Sequence, residues 1–173
     1  MPVKQPGETE EITGLALRQA LGLFASGVTV VTTGSGPDDV HGMTANAFTS
    51  VSLDPPLVLV SIATSARMDT EIRDNGRYGI SILGREMEPH SLHFAGARRV
   101  EDVRFVMRKG VPLLEGAIAH LACTVEASHP AGDHTLHIGR VDALWKGYGD
   151  PLVFFTGAFR TLEPEYDASA LQF

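Results

Sequence analysis

Two stretches rich in β-branched residues, Val28–Thr33 and the run that opens at Val40, are separated only by Gly34-Ser35-Gly36-Pro37-Asp38-Asp39. So short a link between extended segments permits an antiparallel hairpin and little else, because a parallel pair needs a crossover of roughly a dozen residues or more. The same pattern returns downstream. Leu121, Cys123 and Val125 alternate with His120, Thr124 and Glu126, which predicts a half-buried strand, and His129-Pro130-Ala131-Gly132-Asp133 turns it back on itself. In the return strand Leu136 and Ile138 share one phase while Val141, Ala143 and Trp145 take the other, so a slip of a single residue, a bulge, is expected near Gly139. Asp54-Pro55-Pro56 forms a corner between two strands, since proline gives no ladder donor, and Leu57–Ile62 and Leu152–Phe155 read as further apolar strands.

Helices fit only between some of these strands. Leu15, Ala16, Leu21, Leu23 and Phe24 fall mostly at helical spacing after Thr13. A second helix runs to Asp74, with Thr64 or Ser65 as its N-cap and Asn75-Gly76 as its stop. The polar stretch from Glu86 to about Arg108 reads as one or two short surface helices. The fold class expected is therefore mainly β with peripheral helices, an antiparallel closed sheet forming a small barrel. The domain plan is a flexible tail over 1–12, one domain over 13–163 and a loose tail over 164–173. The regular βα alternation of a dinucleotide fold is missing. Gly34-Ser35-Gly36 runs into Pro37-Asp38-Asp39 and not into a GxGxxG, and no GxxxxGK[ST] occurs.

Composition narrows the function. With 21 acidic against 14 basic residues, a net charge of -7, there is no general basic field for nucleic acid or an anionic membrane. The lone Cys123 excludes an intrachain disulfide and a thiolate-rich zinc site, and its place in an alternating strand marks an inert core thiol. His134 and His137, three apart on a strand, point to opposite faces, so no metal is expected. No apolar run is long enough to span a bilayer and no secretory leader is apparent, which gives a soluble cytoplasmic protein as the expectation.

Three constellations stand out. His41-Gly42-Met43-Thr44-Ala45-Asn46-Ala47-Phe48-Thr49-Ser50-Val51-Ser52 packs small residues and hydroxyls into strand, suited to a flat polar heterocycle or equally to a strand edge facing water. Thr64-Ser65-Ala66-Arg67 combines free N–H donors, hydroxyls and a guanidinium at a helix start, which suits a phosphate or is an ordinary cap beside a solvated arginine. Gly132-Asp133-His134 sets an imidazole at a hairpin mouth, as a substrate contact or as a surface turn histidine.

Taken in order, Phe24–Thr33, then His41–Phe48 with Ser50-Val51-Ser52-Leu53, then Gly132-Asp133-His134-Thr135-Leu136 with Ile138-Gly139, resemble the flavin reductase-like family. Asp54-Pro55-Pro56-Leu57, Phe94-Ala95-Gly96, Pro112-Leu113-Leu114 and Pro151–Phe155 before Gly157 extend the likeness over about residues 15–162. The chain most resembles the reductase components of two-component aromatic monooxygenases of the phenol hydroxylase type.

The resemblance implies a flavin-binding split β-barrel, usually a homodimer, in which NADH or NADPH reduces FAD or FMN for delivery to a separate oxygenase component. It assigns Gly42, Met43, Thr44, Ala45 and Asn46, with Ser50, Val51 and Ser52, to the isoalloxazine and ribityl chain, and His41 to the edge of that contact. Ser65 and Arg67 would face the phosphates, Phe94, Ala95 and Gly96 the far end of the cofactor, and Phe24, Gly157 and Phe159 the same pocket. His134 would be the catalytic-site histidine beside the nicotinamide. Ala63, Ala66 and Met68 stand where many relatives carry Asn, Ser and Thr, on the phosphate side. A flavin-binding or flavin-carrying protein of the same barrel, without catalysis, is the alternative function. The absent dinucleotide fingerprint agrees with either, because flavin carries the electron chemistry and a protein need only hold its partners in stacking contact.

Overall fold

The structure, a computed structural model, describes residues 11–36 and 39–162. The expected tails lie outside the described residues apart from Glu11 and Ile12, as do Pro37 and Asp38 of the first turn. Helix α1 (Gly14–Leu21) is capped by Thr13, whose hydroxyl accepts the Ala16 N–H at 3.1 Å. After β1 (Ser26–Gly27) come the hairpin β2 (Thr29–Thr33) and β3 (His41–Ala45), then β4 (Phe48–Leu53) and β5 (Pro56–Ala63) about the Asp54-Pro55-Pro56 corner. Helix α2 (Arg67–Asn75) leads into β6 (Arg77–Ile82), and α3 (Glu88–Phe94) into the hairpin β7 (Phe105–Arg108) and β8 (Val111–Leu114). Two long strands, β9 (Ala119–Ala131) and β10 (His134–Lys146), precede β11 (Val153–Phe155) and β12 (Ala158–Arg160).

Seven strands form one antiparallel sheet in the order β3-β2-β6-β9-β10-β5-β4. Its two edges, β3 and β4, are consecutive in the chain and joined only by Asn46 and Ala47. A sheet whose outermost strands are that close in sequence must curl until they meet, and the Ser61 N–H on β5 reaches the Ala47 carbonyl at 3.0 Å beside the seam. Val31, Val60, Ile62, Tyr78, Ile80 and Cys123 fill the interior, and Met68 and Ile72 of α2 pack with them. A second core, built on Val30, Leu83, Leu114 and Leu152, lies under α3 and the small β1-β11-β12 sheet. Among the described residues no helix is long and apolar enough to cross a membrane.

Four local expectations need correction. The β10 strand runs regularly from His134 to Arg140 against β5. A register shift does fall at Ile138/Gly139, as expected, but its extra residue is Glu126 on β9, and the interruption within β10 itself comes at Asp142. The cause is polar: Thr135 and His137 occupy the buried phase of β10, where an apolar pair was anticipated. Phe105–Arg108 is a strand and not part of a helix, since Lys109-Gly110 turns it onto β8. Helix α2 starts at Ala66 without a side-chain cap, because the Thr64 hydroxyl donates instead to the Asp133 carbonyl at 3.1 Å. Finally, α1 ends at Leu21, so Leu23 and Phe24, expected in the helical pattern, lie beyond it.

Candidate active site

Residues that stand opposite each other in an antiparallel ladder share a face, so the register fixes the outer surface of the barrel. Thr49 faces Leu59, Leu59 faces Ile138, Ser61 faces Leu136 and Ala63 faces His134. Against this surface the segment from Phe24 to Thr29 forms an open cleft of about 780 Å³, walled by Leu21, Phe24, Leu59 and Ile82 and edged by Ser26, Asn46, Thr49 and Ser61. The volume and the apolar walls with a few polar groups are those of a small-molecule site. One feature fits a flat heterocycle in particular: the Ser26 Oγ is buried without a hydrogen-bond partner, a cost that a ligand carbonyl or ring nitrogen would remove.

Two positions along β5 from Ser61, Ala63 is the direct partner of His134, and the next residue, Thr64, donates through both its N–H (2.9 Å) and its hydroxyl to the Asp133 carbonyl. The start of α2 is thereby tied to the β9–β10 turn, where Gly132 adopts a left-handed φ of 62° that a β-carbon would oppose. The His134 Nδ1 lies 2.7 Å from the Asp133 carboxylate. A carboxylate only accepts, so Nδ1 carries the proton and Nε2 is left for a ligand. The hydrogen bond from His134 holds the Asp133 carboxyl below its ordinary range. On α2 the guanidinium of Arg67 is 69% exposed and pairs with Glu71 at 2.8 Å. His41 lies in the field of both; burial, and then Arg67, keeps its imidazole below the usual histidine range.

The structure thus gathers Phe24 and Asn46 in the cleft, and sets Ser65, Arg67 and His134 on two segments tied together by Thr64. Other candidates do different work. The Thr44 hydroxyl donates to the Ser91 carbonyl of α3 at 2.7 Å. A β-carbon on Gly42 would stand 2.6 Å from the Phe94 ring, so that glycine is needed to seat α3 on β3. Met43 and Ala45 belong to the barrel interior. Ser50, Val51 and Ser52 form the bulged part of edge strand β4, beyond Thr49, where the cleft lining on that strand ends. Phe94 packs edge-on against Phe105 at 6.0 Å and leaves Ala95 and Gly96 exposed at the end of α3. Phe159 packs against Phe154 at 5.5 Å in the second core, and Gly157 lies in the β11–β12 turn beside the end of α1.

Sequence reasoning missed Ser26, Leu59, Ser61 and Ile82. Ser61 was legible in principle as the one hydroxyl interrupting the apolar run Leu57–Ile62. Cys123 is fully buried and its thiol is pushed up to about 12 by that burial, which removes it from any nucleophilic role. Among the described residues no group of three or more His, Cys, Asp or Glu side chains is placed to hold a metal ion.

The seam, cleft and hairpin histidine together make a closed antiparallel barrel with a small-molecule site on its outer face. Residues 21–163 match the family model described as "Flavin reductase like domain", and the chain belongs to that family. An NADH-dependent flavin reductase of a Rhodococcus species is 71% identical over 156 residues, covering 88% of this chain and 89% of the relative. The reductase component of 4-hydroxyphenylacetate 3-monooxygenase from Thermus thermophilus is 39% identical, covering 85% and 95%. The solved structure of the NADH:FAD oxidoreductase SgcE6 from Streptomyces globisporus, in complex with NAD and FAD fragments, aligns with a TM-score of 0.82 at 36% identity, over 92% of this chain and all of that one.

Proposed function

We infer that this protein is an NADH:flavin oxidoreductase, the reductase component of a two-component monooxygenase. The observation that carries this reading is the position of His134, with its free Nε2, on the same barrel face as an apolar cleft edged by polar groups, of which the Ser26 hydroxyl is buried without a partner. A flavin held here would supply the acceptor for the hydride of NADH, and its reduced form is what a separate oxygenase would use.

The chain's own residues supply holding and alignment. Leu59, Phe24 and Ile82 give the apolar surface against which the isoalloxazine lies, with Ser26, Asn46 and Ser61 meeting its polar edge. The backbone and hydroxyls of Ser50–Ser52 continue that grip along β4. Ser65 and Arg67 take the terminal phosphate of FMN or the pyrophosphate of FAD. The His134 Nε2 accepts from the nicotinamide carboxamide and fixes the ring against the flavin, which makes it a contact for alignment more than a proton source. Ala95 and Gly96 offer main-chain groups to the distal part of the larger cofactor, while His41, Gly42, Met43, Thr44, Ala45, Phe94, Gly157 and Phe159 shape the frame around the site.

A second copy of this chain covers α1. Leu15, Leu17 and Leu21 are 66%, 51% and 63% exposed, and Leu23 and Phe24, just after the helix, are exposed as well. A cytoplasmic site of action accords with a buried, reduced Cys123 and a supply of NADH.

Oxidation of NADH and NADPH by flavin-stripped protein, titrated in turn with FAD, FMN and riboflavin, tests the reading. Saturable oxidation of NADH that depends on added flavin is expected. Flavin binding without consumption of either nucleotide would replace the reductase by a flavin carrier.

A further inference from the structure

Immediately behind His134, on the buried face of β10, lies a polar cluster that the reaction as described does not use. His137 is 0% exposed and Asp69, in the first turn of α2, is 4% exposed. The Asp69 Oδ1 is 2.9 Å from the His137 Nε2, and the Ser128 Oγ is 2.9 Å from its Nδ1. Since the carboxylate accepts, Nε2–H donates to Asp69 and Nδ1 accepts the Ser128 hydroxyl proton. The second carboxylate oxygen meets the Arg73 guanidinium at 2.7 Å, and Arg73 also donates to the Thr135 hydroxyl at 2.8 Å.

These contacts form a series. Thr64 to Asp133, Asp69 to His137 and Arg73 to Thr135 all join one segment, Thr64–Arg73, to another, Asp133–His137. Ser65 and Arg67 are carried by the first segment and His134 by the second. A buried ionised group costs desolvation that an apolar pair of the same size would not, so the cluster is poorly explained as a source of stability. What it supplies is direction, because hydrogen bonds to fixed atoms set the spacing of two elements where apolar packing would tolerate sliding.

We propose that Asp69 and His137 are positioning residues that clamp α2 to β10, fixing the distance between the phosphate-holding residues Ser65 and Arg67 and the nicotinamide contact His134. The inference rests on the phosphate assignment made above. Its signature is selectivity: loosening the clamp weakens flavins that carry a phosphate and spares riboflavin, which has none.

The experiment is fluorescence titration of the flavin-free full-length protein with FMN and with riboflavin, alongside thermal unfolding. His137→Phe is expected to weaken FMN about tenfold, the loss typical of charge-assisted contacts set out of line, and to leave riboflavin within about twofold. His137→Gln, which keeps a donor toward Asp69, restores most of the FMN affinity. Should His137→Phe fail to fold, the near-isosteric Asp69→Asn is measured in its place and is expected to shift FMN in the same direction by a smaller factor. Equal losses for FMN and riboflavin, or a lowered melting temperature with FMN selectivity intact, would overturn the proposal. A parent protein that binds riboflavin as tightly as FMN would instead remove the phosphate assignment, and the clamp with it.

Discussion

Ala63 on β5 and His134 on β10 stand directly opposite each other at the end of the ladder, and the chain on either side of that pair is tied by Thr64 to the Asp133 carbonyl. The imidazole is therefore mounted on paired strand, with its Nδ1 occupied by Asp133, and does not swing on a free loop. His134→Ala removes an alignment contact and leaves the redox chemistry in place. It is expected to raise the KM for NADH about tenfold with a smaller change in kcat, read from steady-state NADH oxidation at saturating flavin. Abolished turnover with unchanged flavin affinity would make His134 indispensable to the chemistry.

Arg67 is held by Glu71 in an i,i+4 pair at the exposed start of α2. Under the phosphate assignment proposed above, a flavin phosphate competes with that carboxylate for the guanidinium. Glu71→Gln is expected to tighten FMN by roughly threefold, the scale of a solvent-screened pair, and to leave riboflavin unchanged. Raising the salt concentration from 0.05 to about 0.5 M weakens FMN binding in both proteins, as screening reduces an exposed charge contact. Titrations of the two flavins at matched ionic strength decide the point.

Acid destabilises the native state through His137 and then Asp69. Burial lowers the His137 imidazole from its ordinary 6.5, outweighing the support of Asp69. Below about pH 6.5 the unfolded chain therefore takes up a proton that the native chain refuses, and stability falls as pH drops. Burial alone would raise Asp69, but hydrogen bonds from Thr135, His137 and Arg73 bring it below its ordinary 3.8. Its contribution is complete above that value and is lost as pH falls through the lower native one. In denaturant titrations, His137→Phe is expected to flatten the limb that falls away below about pH 6.5. His41, shifted the same way, preserves part of the slope.

The apolar side of α1 has no partner among the described residues, although Leu17 and Leu21 lie one turn apart on it. Leu17→Glu with Leu21→Glu is expected to convert a dimer to a monomer, measured by light scattering on a sizing column, without loss of the far-ultraviolet β signal. A parent protein that is monomeric at micromolar concentration would dismiss the dimer.

Much of the barrel was legible because its turns are chemically explicit. Glycine, proline and aspartate clusters mark two hairpins and a corner, and strand order follows from short links. The β7–β8 hairpin was hidden because Phe105–Arg108 sits after a polar stretch that resembles surface helix, and only Lys109-Gly110 betrays the turn. Thr64 misled in the opposite way: it has the chemistry of a cap but spends its hydroxyl on a residue 69 positions away. No local pattern shows such a partner. The same holds for Gly42 and Thr44, whose small size and hydroxyl serve the seat of α3, and for His137, whose polarity conceals a buried strand phase behind an apparent slip.

The seam between β3 and β4 carries a further consequence. With only Asn46 and Ala47 to span it, the barrel is closed by covalent chain at that end of the cleft, and the cleft wall includes both residues. A residue inserted there would lengthen the hinge of the whole cylinder and the cleft wall at once, and the far end of the same face is no looser, because β10 stays paired with β5 up to His134 and Thr64 holds Asp133. Barrel closure and cleft width are therefore one dimension set by the same two residues, and neither can change without the other.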